Sequence, residues 1–112
     1  MHWKNKTTIL ASALVLVAGS CLAADVTENW TKHCGSCHGK DGKGETKAGR
    51  KAEVKDLTDS TYQASFTDEA MFKRMKEGAK DKNGKERMKP FADKLSDDEI
   101  KALGAYVRSL KK

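Results

Sequence analysis

The segment Cys34-Gly35-Ser36-Cys37-His38 constrains this chain more than any other five residues in it. Two thiols and an imidazole so close together can bind zinc, cycle as a redox disulfide, or carry a prosthetic group. A structural zinc site needs four ligands, ordinarily in two separated pairs. Beyond residue 24, every cysteine and histidine lies between His33 and His38, so no second pair completes a tetrahedron. A thioredoxin-like pair expects a strand leading into the motif and a βαβ setting. Here the residues before Cys34 read as helix, and no strand-like alternation follows. The third chemistry uses every residue at once. In C-x-x-C-H the two thiols add to the vinyl groups of haem, and the adjacent histidine binds the iron from one face. Gly35 and Ser36 are small enough to leave the porphyrin edge clear. One motif means one haem.

The start of the chain agrees with covalent attachment. Lys4 and Lys6 precede an apolar run from Ile9 to Ala18, followed by the small-residue segment SCLAAD. That order predicts a cleaved secretory signal peptide over 1–24, ending at Ala23 or Ala24, and a single domain over 25–112. The apolar run is too short to span a bilayer. Cys21, in AGSC, offers a lipoprotein cleavage site as a minor alternative, with a short lipid tether. On either reading the domain is exported, which implies the periplasm.

Removing the leader takes two lysines and no acids, so the net charge of +6 becomes +4. It also removes a large share of the 38% apolar residues. A domain this small, with few large side chains, struggles to build a core alone. Cys34 and Cys37 stand too close together to staple it. A covalently held haem supplies the missing interior.

The chain after residue 24 reads as all-α, with three to four helices. Asp25 and Glu28 look like a cap and its third-position partner, with Val26 and Trp30 one turn apart on a helix running into Cys34. Gly39 to Gly49 is a glycine- and lysine-rich loop, and a short helix or turn is expected around Lys51–Leu57. Thr67 caps a helix whose Met71, Phe72 and Met75 share a face and which Gly78 stops. Ser96 and Glu99 form a capping box for the last helix, with Leu95 and Ile100 as its hydrophobic staple. Ile100, Leu103, Val107 and Leu110 make one stripe, and Gly104 lets another helix approach closely.

The far side of the iron decides what such a haem does, since a bound sixth ligand favours electron transfer and an open site favours ligand chemistry. His33 abuts Cys34, cannot swing to that side, and reads as a surface histidine facing water. The candidates are Met71, Met75 and Met88. Met71 and Met75 lie on an apolar helix stripe, where methionine usually fills core. Met88 sits in a lysine-rich loop, an unfavourable place for a thioether without a partner, and Pro90 stiffens the backbone just after it.

With CGSCHGKDGKG followed by MKPFADKLSDDEIKALGAYVRSL, the sequence resembles the class I cytochromes c, small soluble monohaem electron carriers, over nearly all of 25–112. The resemblance implies a cytochrome c fold wrapped around one haem c. Cys34 and Cys37 would be the thioether sites, His38 the proximal ligand and Met88 the distal one. It also implies that the N-terminal helix at Trp30 crosses the C-terminal helix near Leu103, Gly104 and Val107. One departure stands out. Many members have a proline soon after the haem motif whose carbonyl accepts the histidine's other N–H, and here Pro90 is the only proline. A carbonyl from Thr46–Leu57 is expected in that role.

The function that follows is a periplasmic single-electron carrier, not an enzyme, monomeric and without nucleic-acid partners. Lys80, Lys82, Lys85, Arg87 and Lys89 around the distal loop would form a basic collar that steers encounter with acidic patches on redox proteins, a reductase and an oxidase. The rival is a haem enzyme or ligand sensor, peroxidase-like, with a labile or absent Met88 bond. A subunit docked permanently in a respiratory complex would keep the chemistry and change only the partner.

Overall fold

The computed structural model describes residues 25–112, so the expected signal peptide and the Cys21 alternative lie outside the described residues. Helix α1 (25–29) continues through a π-helical turn, Trp30–Cys34, into α2 (Gly35–His38). Then come α3 (Lys47–Ala52), α4 (Ser60–Ala64), α5 (Asp68–Glu77), a hairpin of β1 (Ala79–Lys80) and β2 (Glu86–Met88), and α6 (Asp97–Ser109). Among the described residues no helix is long and apolar enough to cross a membrane.

The helix ends obey local chemistry. The Thr67 hydroxyl accepts from Ala70 N at 3.1 Å, and Gly78 ends α5 at φ 75°. Ser96 Oγ accepts from Glu99 N at 3.1 Å while Glu99 Oε1 accepts from Ser96 N at 3.0 Å, which completes the capping box. Asp59 caps α4 through Thr61 N and Tyr62 N.

Three expectations need correction. Asp25 is already helical, so it does not cap α1. The expected helix around Lys51–Leu57 lies earlier: Thr46 caps it, and Glu53 ends it in the left-handed conformation at φ 58°. The fold is all-α as expected, but it also carries one short two-stranded antiparallel hairpin, pairing Ala79 with Met88 and Lys80 with Glu86. Strands of two and three residues are too short for alternation to show in sequence.

Packing centres on α6. Ile100, Leu103 and Val107 are buried against Trp30, Leu57, Met75, Phe91 and Leu95. Helix α1 and its π turn meet α6 through the Trp30 and Tyr106 rings, 5.0 Å apart, and through Asn29 Nδ2 donating to Glu99 Oε2 at 3.0 Å. Gly104 serves a different neighbour from the one expected. A Cβ there would lie 3.1 Å from the Met71 terminal methyl, so the close approach is to α5. Arg108 binds Asp68 and the carbonyls of Gln63 and Phe66, fixing the α4–α5 connection on α6.

The α6 cap carries two predictions. Ser96→Ala should cost about 1 kcal/mol, read by thermal unfolding. The Glu99 carboxyl is held below the usual carboxylate range, first by Ser96 N–H and then by the Asn29 amide. A carboxyl with a depressed folded pKa stabilises the fold above its unfolded pKa, and that contribution fades as pH falls through the folded value. Glu99→Gln should therefore be less stable than the parent at pH 7, and the gap should begin to narrow below about pH 4, the unfolded carboxylate range, and close as pH falls through the lower folded value.

Candidate functional site

The haem-type motif is set by a change of helical pitch. The π turn at Trp30–Cys34 widens the helix just before Gly35, and such turns occur often at functional sites. The four-residue α2 then leaves carbonyls that need partners, and the glycine loop supplies them. Gly39 N donates to Gly35 O at 2.9 Å, Gly44 N to His38 O at 2.7 Å, and Thr46 Oγ1 to Cys37 O at 2.8 Å. The same Thr46 hydroxyl accepts from Gly49 N at 2.8 Å, so the start of α3 is tied to the motif. Gly39 O in turn accepts from the buried Trp30 indole at 3.1 Å.

The opposite wall comes from α5 and the hairpin. Phe91 N donates to Met75 O at 3.0 Å and Ala92 N to Lys76 O at 3.3 Å, so the chain after Met88 satisfies the end of α5. Gly78 lets the two backbones touch: a Cβ there would lie 2.6 Å from Met88 O and 2.9 Å from Pro90 N. Met88 is thereby fixed through its own backbone.

Between the walls lie two cavities, of about 310 and 670 Å³. Cys34, His38, Leu57, Tyr62, Arg74, Met88 and Phe91 line both, so the two adjoin along these residues. Cys37 lines the larger. Met71 and Met75 line only the smaller, and Met88 alone of these three methionines reaches both. All four predicted site residues therefore surround one crevice.

Cys34 and Cys37 are not joined by a disulfide. Burial, and secondarily the neighbouring Cys37, push the Cys34 thiol up to about 11. Burial lowers the His38 pKa, which favours the neutral ring, the form that ligates metals. This donor set in an apolar crevice fits a covalently attached haem. Among the described residues no cluster of three or more His, Cys, Asp or Glu could hold a bare metal ion.

Three details differ from expectation. His38 Nδ1 is buried without a partner, so no carbonyl of Thr46–Leu57 accepts from it. Within that segment the Thr46 hydroxyl bonds the motif's backbone instead, as does Gly44 N–H just before it. His33 is half-buried rather than open to water, with its ring edge-on to Phe91 at 5.6 Å. Of the five proposed collar residues only Arg87 and Lys89 line the larger cavity, while Lys32, Lys55, Arg74 and Lys94 line it from other elements. Tyr62, Arg74 and Phe91 were not singled out from sequence. Arg74 sits among Lys73 and Lys76 on a charged helix, and nothing local distinguishes it.

With this geometry in hand, the comparisons are specific. Residues 22–107 match the family described as cytochrome c oxidase, cbb3-type, subunit III. The solved structure of the KustC0563 c-type cytochrome is 34% identical, with a TM-score of 0.67, covering 77% of this chain and 96% of that one. A tyrosine-to-phenylalanine mutant of the same protein is 33% identical, with a TM-score of 0.66, over 78% and 99%. No curated protein matches the sequence.

Proposed function

We infer the role of this chain from its family: it belongs to the c-type cytochromes, matching the cbb3-type oxidase subunit III family over residues 22–107, and is a haem c electron carrier. Covalently bound haem c supplies a one-electron Fe(III)/Fe(II) couple. In our reading Cys34 and Cys37 hold the haem by thioether bonds, and His38 and Met88 are its axial ligands. One observation carries the choice of Met88: of the three methionines in the domain it alone lines both halves of the crevice.

Each residue then has a physical task. Burial keeps the His38 ring neutral and able to donate a lone pair. Met88 supplies a thioether, and histidine–methionine ligation raises the haem potential relative to bis-histidine. Leu57, Tyr62 and Phe91 line the crevice with largely apolar surface that limits water access. With His38 and Met88 held in so tightly pinned a shell, the residues around a bound haem would rearrange little on gain or loss of one electron, and no substrate site would be needed.

The working place is the periplasm, and the partners are redox proteins with acidic docking surfaces. Lys32, Lys89 and Lys94 lie at the mouth of the larger cavity and carry the positive charge toward them. Transfer rates to such a partner should fall as ionic strength rises, because screening weakens steering between exposed charges. A salt-independent rate would remove the basic-face part of the proposal.

The carrier reading is tested by spectroelectrochemical titration of the holoprotein. It predicts a low-spin haem in both oxidation states and a single reversible one-electron wave. A high-spin ferric spectrum, or immediate cyanide binding, would favour a haem enzyme or ligand sensor instead.

A further inference from the structure

Arg87, the residue before Met88, does more than contribute charge. Its Nε donates to Asp81 Oδ2 at 3.1 Å, and a second guanidinium nitrogen lies 3.1 Å from the same oxygen. Its Nη1 donates across the crevice to Lys51 O at 3.2 Å. Lys51 belongs to the last turn of α3, whose start is tied to the haem motif through Thr46. Among the described residues this is the one hydrogen bond or ion pair that joins 47–58 to 79–90. The two segments are opposite walls of the larger cavity: Ala52, Glu53, Val54 and Lys55 line one side, Asp81, Arg87 and Met88 the other.

Asp81 is itself fixed, because its Oδ1 accepts from Asn83 N at 2.9 Å and Lys85 N at 3.0 Å in the hairpin turn. The arrangement runs from hairpin turn to Asp81, to Arg87, to the α3 carbonyl. A planar guanidinium can hold both acceptors at once, whereas a lysine ammonium has no such fork. We propose that Arg87 is a positioning residue that latches the strand carrying Met88 to the end of α3 and so governs how often the sixth position opens. Opening would unlatch the hairpin from α3 while leaving Gly78 and Phe91 in place. This rests on Met88 as the distal ligand.

The experiment uses the ferric holoprotein and cyanide, whose binding requires the sixth position to open. Arg87→Gln should bind cyanide about tenfold faster or more, the scale of losing one charge-assisted hydrogen bond. Arg87→Lys should retain pairing with Asp81 but not the bond across the crevice, and should remain fast. Asp81→Asn should move the rate in the same direction. Lys85→Gln removes a charge from the same hairpin and should match the parent. Ser96→Ala, which loosens the α6 cap and touches neither Asp81 nor Arg87, should also match it, which separates latching from general loss of stability. Equal rates for Arg87→Gln and the parent, with the parent's sulfur-to-iron band present, would overturn the latch alone. A rise in Ser96→Ala as large as in Arg87→Gln would overturn it too. Absence of a Met88-dependent band in the parent would overturn the latch together with the ligation reading.

Discussion

Gly49→Ala should destabilise the holoprotein by about 3 kcal/mol or more, at the upper end of overpacking costs. A Cβ at this position would overlap the Cys37 carbonyl oxygen and would stand 2.6 Å from Gly44 O and 2.8 Å from Thr46 Oγ1. Two of these are backbone atoms, and the third is the hydroxyl that joins α3 to the motif. Neither side can yield without breaking the bonds that fix Cys37 and His38. The denaturant midpoint should fall with its slope unchanged, which identifies a loss of stability rather than a change in the unfolded chain. The fraction of chains carrying covalent haem, read by mass, should fall with it. A cost under about 1 kcal/mol would mean that α3 and the motif are not held against each other.

The second large effect is expected at Gly78. Its φ of 75° and ψ of −170° form a combination essentially confined to glycine. A side chain there would press on Met88 O, Pro90 N and Lys89 C. Gly78→Ala therefore combines backbone strain with displacement of the segment that presents the sulfur. We expect about 2–4 kcal/mol of lost stability and a weakened sulfur-to-iron band. Gly84→Ala is the matched control, with φ 80° and nothing within 4 Å of the added Cβ. It should show strain alone, about 1–2 kcal/mol, and a normal band. Identical spectra in the two variants would detach Gly78 from the ligand.

These two glycines mark where sequence reading stops. Gly78 was legible as a helix terminator, because a stop signal is local, but its contact with Met88–Pro90 depends on how the chain returns. Gly49 gave no signal. The same division runs through the rest of the domain. Thr67, Ser96 and Glu99 announce their helices through bonds that span only three residues. Gly104 was legible as a point of close approach, yet its neighbour is Met71 rather than the N-terminal helix. Cys34, Cys37 and His38 are contiguous, so their chemistry could be read at once. Met88 stood out because a thioether in a charged loop lacks a reason of its own. Arg87 looked like one more collar cation, and its pairing with Asp81 and Lys51 appears only once the hairpin is folded.

His38 shows a different limit. Its unpartnered Nδ1 was expected to find a carbonyl in Thr46–Leu57, but the bonds made here run from the Thr46 hydroxyl, and from Gly44 N–H just before that segment, to the motif's own carbonyls. An interaction with backbone atoms leaves no residue-type signature once the usual proline is absent.

The central claim is that His38 and Met88 ligate the iron of a covalently attached haem. It is tested most directly by the ferric absorption spectrum of the holoprotein beside those of Met71→Ala, Met75→Ala and Met88→Ala. The account predicts a sulfur-to-iron charge-transfer band in the parent and in the first two variants, and its loss in Met88→Ala alone. A band that survives in Met88→Ala, or vanishes in Met71→Ala or Met75→Ala instead, would contradict it.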